Sequence, residues 1–123
     1  MVTAVELPSE PDAVAPDGSQ IRLLVAGRCG SMAHAGLEPG AVTRPVKHRT
    51  VEEVWYVLSG SGQIAIGGDI VAVRAGSSVL IPTGTPFQFR AGYAGLGVVI
   101  TTMPPWPGAD EAEPAEGPWT PTV

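Results

Sequence analysis

The sequence predicts an all-β protein with a single barrel or sandwich domain, and three observations support this prediction. The chain has 123 residues, which is enough for one hydrophobic core but not for two. Its apolar residues, 44% of the total, fall in short runs that are separated by 16 glycines and 13 prolines. No stretch repeats its apolar residues with the 3.6-residue period of a helix. We therefore expect eight or nine short strands and very little helix.

Along the chain, each expected element is bounded by residues that favour turns. Residues 1–17 are rich in proline and acids, and we expect them to form an extended arm rather than a packed element. The barrel domain is expected over residues 18–107. Its apolar runs predict strands near 21–26, 32–37, 41–48, 52–59, 61–66, 70–74, 77–82, 86–91 and 96–103.

The connections are predicted from glycine and proline. Gly67-Gly68 lies between two apolar runs and favours a two-residue hairpin, because such turns need positive φ angles. The sequence SGSG at 59–62 predicts another turn, and PTGTP at 82–86 predicts a stiff loop. An immunoglobulin-like sandwich is the alternative fold, but no cysteine pair accompanies the tryptophans.

The C-terminal segment is expected to pack on the barrel as a tail over residues 108–123. The prolines of MPPWPG at 103–108 exclude regular strand or helix there, since they remove donors and clash with the preceding backbone. Trp106 is too apolar to remain in water, so we expect it to dock on the barrel. It would then either cover one end of a pocket or strap an exposed sheet edge.

The charge and cysteine patterns exclude several classes of function. The net charge of -5 comes from acids in the two flanks, whereas the middle of the chain carries a small positive charge without a dense basic patch. We therefore expect no nucleic-acid partner. No apolar run reaches the ~20 residues of a membrane span, so we expect no membrane partner. The single cysteine, Cys29, cannot form an internal disulfide, and without a visible signal peptide the expected location is cytoplasmic.

Two stretches carry a resemblance to a known family. Residues 40–60 read GAVTRPVKHRTVEEVWYVLSG, and residues 76–91 read GSSVLIPTGTPFQFRA. They resemble the two motifs of the cupin superfamily, G-x5-H-x-H-x3,4-E-x6-G and G-x5-P-x-G-x2-H-x3-N. The resemblance covers about residues 20 to 107. It implies a small single-domain conserved barrel, that is, a double-stranded β-helix or jelly roll, and a homodimer.

The chain departs from these motifs at the positions that hold a metal in the family. By resemblance, His48 and Glu53 remain as ligands, whereas Val46 and Phe87 stand where the family has histidines and cannot bind a cation. Zinc and iron sites commonly use three protein ligands, so a metal would need a third one here. His34 is the one other histidine and Cys29 the one cysteine, and either could supply it. We expect a metal-free, largely apolar pocket. The alternative is a bound divalent metal such as Fe, Mn, Ni or Zn.

His48 and Glu53 also have a metal-free interpretation. A buried carboxyl has a raised pKa, and a nearby imidazole can exchange a proton with it, so the pair could act as acid and base on a small substrate. In the alternative interpretation, His48 is only a hydrogen-bonded residue of the interior.

Strand alternation predicts the remaining pocket residues. Arg44 and Val46 share the face of His48, and Trp55 shares the face of Glu53. Phe87 and Phe89 would join Trp55 on the inner wall, either as a stacking surface for an aromatic ligand or simply as barrel filling. Arg44 would bind a carboxylate or phosphate if it points inward. On an exposed strand entrance it would have no such role.

Three functional hypotheses follow, and the sequence leaves open whether the protein is an enzyme. The first is a small-molecule-binding cupin with an incomplete metal site, acting as a metal-independent isomerase or lyase through His48 and Glu53. The second is a metal-dependent cupin, for example an oxygenase, with an irregular ligand set. The third is a non-catalytic binding or sensing module.

Overall fold

The computed structural model describes residues 2–123, and these residues form one curled antiparallel sheet of nine strands. The strands are β1 (Ala13–Val14), β2 (Gln20–Ala26), β3 (Ser31–Leu37), β4 (Val46–His48), β5 (Glu52–Ile66), β6 (Asp69–Arg74), β7 (Ser78–Ile81), β8 (Phe87–Met103) and β9 (Ala112–Pro114). The only helix in this part of the chain is a 3-10 turn, Ala109–Glu111. No helix among the described residues is long and apolar enough to cross a membrane.

The sheet curls because its two long strands pair with each other and with short strands on both sides. The order along one path is β1-β2-β3-β8-β4-β9, and β5 lies beside β8 while β6 and β7 pair with β5. All pairs are antiparallel, so every strand returns along its neighbour, as in a jelly roll. The predicted all-β class and barrel are thus confirmed.

The predicted turn at residues 59–62 is wrong, because β5 runs through it as one strand of 15 residues. Its register against β8 shifts between Val57 and Ser59 and again between Gly60 and Gly62, which makes this stretch a bulge. Gly60 has φ 76° and lies so close to Gly95 that a Cβ atom would overlap the Gly95 carbonyl. The glycines therefore allow the strand to bend at a bulge, and the chain does not reverse there.

Two other strand boundaries also differ from prediction. Strand β8 is continuous over 17 residues, whereas the sequence predicted separate strands at 86–91 and 96–103. The expected strand at 41–48 begins only at Val46, and its first part contributes a single bridge between Val42 and Arg90. The late start follows from Pro45, which cannot donate a ladder hydrogen bond.

The core lies inside the curled sheet, on the inward faces of β5 and β8 and of the strands that pair with them. Along β5, Glu53, Trp55 and Val57 are buried, whereas the alternating residues Val54 and Tyr56 are exposed. This period-2 pattern is what one packed face of a sheet requires.

Both ends of the chain pack on the barrel. Strand β1 of the N-terminal arm pairs with β2, and β9 of the tail pairs with β4. Farther along the tail, Trp119 bonds to the fully buried side chain of Gln88 on β8. Gln88 Nε2 donates to the Trp119 carbonyl at 2.8 Å, and the Trp119 backbone N–H donates to Gln88 Oε1 at 3.1 Å. The arm and the tail are therefore fixed against the barrel by strand pairing and hydrogen bonds.

Candidate functional site

A cavity of about 550 Å³ lies between the barrel, the arm and the tail. Its wall is mostly apolar and comes from residues 13–17 of the arm, from β2 to β5, from β8 and from residues 105–112 of the tail. The volume is in the range of small-molecule sites, which are typically concave and apolar with a few polar groups. The polar and aromatic side chains that line it are Asp17, Ser19, Ser31, His48, Glu53, Trp55, Phe87, Thr102 and Trp106.

His48 lies at the end of β4 and points into the cavity. Its ring is held edge-on between Phe87 and Trp106, with centroid distances of 5.1 and 5.3 Å. The loop predicted at 82–86 supports it, because the Gly84 N–H donates to the His48 carbonyl. Burial lowers the pKa of His48 below its ordinary value, although the carboxylates of Glu111 and Asp17 oppose this effect. The imidazole is therefore neutral near pH 7.

Glu53 faces His48 from β5 and is fully hydrogen-bonded. Its Oε1 accepts from Trp55 Nε1 at 3.0 Å, and its Oε2 accepts from Thr102 Oγ1 at 2.7 Å. Burial raises the pKa of Glu53, and these two hydrogen bonds only partly offset the increase. The His48 Nδ1 atom lies 3.9 Å from Glu53 Oε1, which is too far for a hydrogen bond. This Nδ1 has no partner among residues 2–123, although it is buried.

Asp17 is a site residue that the sequence did not reveal. It was expected in an extended arm, yet only 8% of its surface is exposed and it lines the same cavity as His48 and Glu53. Its Oδ1 accepts hydrogen bonds from the Ser19 N–H at 2.9 Å and the Ser19 hydroxyl at 2.7 Å. Burial raises the pKa of Asp17, with the Ser19 hydrogen bonds opposing it. The D-G-S sequence signals a local turn but gives no sign of burial.

Trp106 covers one end of the cavity, which is one of the two roles that the sequence left open for it. Its indole contacts His48, and the backbone N–H of Trp106 donates to Ser31 Oγ at 2.9 Å. Pro105 and Ala109 on either side also line the wall. The tail is thus part of the site.

Arg44 requires a correction, because it lies outside the cavity. It is exposed, and its Nε donates to the Val123 carbonyl at 3.0 Å. The alternation rule failed here because regular strand begins only at Val46, two residues later. Val46 does line the cavity, as expected.

The aromatic residues divide between cavity and core. Trp55 and Phe87 line the cavity and meet edge to face at 5.5 Å. Phe89 does not line it, although the sequence placed it on the inner wall with them. Its buried ring packs on the far side of Trp55 at 4.9 Å and fills the core.

The side chains present do not fit the metal that the motif resemblance implies. Neither candidate for a third ligand lines the cavity: His34 lies against Gly97 and Gly36, and Cys29 is exposed before β3 begins. Within residues 2–123, no group of three His, Cys, Asp or Glu side chains could hold a metal ion. His48 and Glu53 supply two donors, and Val46 and Phe87 supply none.

Comparisons with known proteins agree with this fold. Among relatives, protein MJ1618 of Methanocaldococcus jannaschii is 31% identical over 120 residues, which are 89% of this chain and 96% of the relative. Among solved structures, KdgF from Halomonas superposes with a TM-score of 0.71 at 19% identity, covering 83% of this chain and 94% of that one. Streptomyces PAC13 with uridine superposes with a TM-score of 0.73 at 15% identity, covering 93% and 92%. At such identities these structures show the fold alone.

The family model described as the Cupin domain matches residues 33–101, which is more than half of the chain. This segment contains both motif regions, together with His48 and Glu53. The chain therefore belongs to the cupin family.

Proposed function

We propose that this cupin binds a small organic molecule in its cavity and that His48 and Glu53 act on it as base and acid without a metal. The observation that carries this proposal is that the two side chains face one cavity with opposite protonation tendencies. Burial keeps the imidazole neutral and able to accept a proton, and it keeps the Glu53 carboxyl protonated to higher pH than usual.

Such a pair suits an elimination or an isomerisation. In an elimination, the imidazole takes a proton from a ligand carbon, a carbon–carbon double bond forms, and the carboxyl protonates the departing hydroxyl as its carbon–oxygen bond breaks. Glu53 is positioned for this by Trp55 and Thr102, and the ring of His48 is fixed by Phe87 and Trp106. Another structure of the PAC13 protein named above, which superposes with a TM-score of 0.72 at 15% identity, describes it as a nucleoside dehydratase, and this supports the same class of reaction as a proposal here.

The test begins with a thermal-shift screen of apolar and aromatic compounds, after which each hit is assayed for turnover. We expect His48→Gln and Glu53→Gln to lose turnover by about 100-fold or more while ligand affinity changes by less than about threefold. Arg44→Gln, at an exposed position outside the cavity, is the matched control and should keep full turnover. Wild-type turnover should also survive prolonged treatment with a chelator.

Loss of turnover with the chelator would contradict the metal-free proposal and favour a metal-dependent cupin. Hits that bind but never turn over would favour a non-catalytic binding or sensing module.

We also propose that the protein is a homodimer that pairs through the outer face of its sheet. Val54 and Leu80 are opposite each other on β5 and β7, and Tyr56 and Leu58 continue the same row. These four side chains are 43–52% exposed. A contiguous apolar face of this kind is typical of a surface that a second copy covers.

The cytoplasmic location stays a prediction.

A further inference from the structure

The cavity wall carries acidic groups and one imidazole but no permanently cationic side chain. Asp17 and Glu53 line it, and within the described residues no lysine or arginine does. Arg44, the only basic candidate from the sequence, bonds instead to the Val123 carbonyl. The cavity therefore offers a ligand either neutral or negatively charged partners.

Two buried polar groups in this cavity have unused hydrogen-bonding capacity. Ser19 makes both of its hydrogen bonds to Oδ1 of Asp17, and no residue among 2–123 donates to Oδ2. Nδ1 of His48, in a side chain that is more than nine-tenths buried, also lacks a partner. His48 Nδ1 is a buried atom of the kind that is normally paired, and Asp17 lines the same cavity with an Oδ2 that receives no donor, so a ligand in the cavity can supply a partner to each.

We propose that Asp17 is a ligand-binding residue and that the cavity prefers an organic cation, namely an amine attached to an apolar or aromatic body. This inference rests on the proposed function, because it names the class of ligand for the same cavity.

An ammonium group would satisfy the geometry and the charge together. It can donate to the free Asp17 Oδ2, and its positive charge favours the ionised form of this buried carboxyl group, which has no lysine or arginine beside it on the cavity wall. Trp55, Phe87 and Trp106 then surround the organic body, and aromatic rings also attract cations. An anionic ligand would instead meet two acids in an apolar cavity, with no charge to offset its loss of hydration.

The experiment uses three probes that share one body and differ in charge: 2-phenylethylamine, 2-phenylethanol and phenylacetate. Affinities are measured by isothermal titration calorimetry at pH 7. We expect the amine to bind about tenfold more tightly than the alcohol, with phenylacetate weakest. Asp17→Asn should weaken the amine by about tenfold and the alcohol by less than about twofold. Glu10→Gln, an exposed acid on the same arm, is the control and should change neither.

The results that would overturn the inference can be distinguished from one another. If phenylacetate binds more tightly than the amine, or if Asp17→Asn leaves the affinity for the amine unchanged, the inference fails while the small-molecule pocket stands. If none of the three probes binds, the inference fails together with the proposed function. If Asp17→Asn does not fold, the order of the three probes in the wild-type protein still decides.

Discussion

The side chains around His48 determine the pKa of its imidazole. A histidine in water is partly protonated near pH 7, but this one is enclosed by Phe87 and Trp106 and its pKa is lowered by burial. Glu53 is shifted in the opposite direction for the same reason. The apolar wall therefore shifts the pKa values of both members of the proposed acid–base pair, without a direct hydrogen bond between them.

The shift of Glu53 predicts a pH-dependent cost in stability. Because folding raises its pKa, the protonated form stabilises the fold below the unfolded value, and this contribution is lost as pH rises through the folded pKa. Glu53→Gln cannot ionise, and its amide can still accept from Trp55 and donate to Thr102. We expect the variant to gain stability relative to wild type, on the order of 1 kcal/mol, between pH 4 and pH 8 in urea unfolding.

The matched control for this prediction is Glu52→Gln, which removes an exposed acid one residue earlier on the same strand. Its difference from wild type should stay constant with pH. A constant difference for Glu53→Gln as well would show that burial does not hold the proton on Glu53.

At the residue scale, the sequence placed the cavity residues that lie in regular strands but not those that lie outside them. His48, Glu53, Val46, Trp55 and Phe87 could be placed because motif spacing and strand alternation fix the direction of residues inside regular strands. Arg44 precedes the strand and Asp17 lies in a turn of the arm, so neither rule applied to them. Their directions are set by contacts with distant parts of the chain, which local patterns do not encode.

At the element scale, the long strands β5 and β8 depend on bulges that the sequence presented as turns. SGSG at 59–62 has the composition of a hairpin, yet the chain continues as strand because Gly62 and Gly60 pair with β8 on either side of the register shift. Glycine favours reversal and bulge for the same reason, its freedom to adopt positive φ. Only the partner strand distinguishes the two, and the partner is distant in sequence.

This feature gives a prediction about Gly60. Gly60→Ala should be strongly destabilising, by roughly 3 kcal/mol or more, because it combines positive φ with overlap of the new Cβ and the Gly95 carbonyl. Gly40 has nearly the same φ, 75°, but open space around its Cβ position. Gly40→Ala should therefore cost only about 1 kcal/mol. Urea unfolding of both variants measures the difference, and equal costs would show that the close approach of β5 and β8 is unimportant.

At the scale of the whole molecule, the exposed apolar face makes dimerisation the property to measure. The chain mass is 12.6 kDa, so light scattering after gel filtration should give about twice that value at micromolar concentration. Tyr56→Glu places a charge in the centre of the face and should shift the protein toward monomer. Tyr93→Glu makes the same change at a fully exposed position elsewhere on β8 and should leave the mass unchanged. A wild-type monomer would contradict the proposed pairing.

The fold as a whole was predictable, because the motif glycines and the spacing of short apolar runs specify the barrel. The arrangement of the chain ends was predictable only in part. The prolines at 103–108 indicated that regular structure stops there, but the clamp between Gln88 and Trp119 joins residues 31 positions apart. Contacts of this kind arise only when the barrel brings the two segments together.

The origin of the cavity walls bears on how such proteins diverge. The segment shared with the Cupin domain family, residues 33–101, contains strands β4 to β7 and most of β3 and β8. Asp17 and Trp106, which line the cavity and supply part of its polarity, both lie outside this segment. Neither residue lies in a strand, so a substitution at either position can change the cavity with little penalty to strand pairing. Descendants of one ancestor can thus inherit the same barrel while acquiring different ligands, and similarity over the shared segment says little about which ligand each one kept.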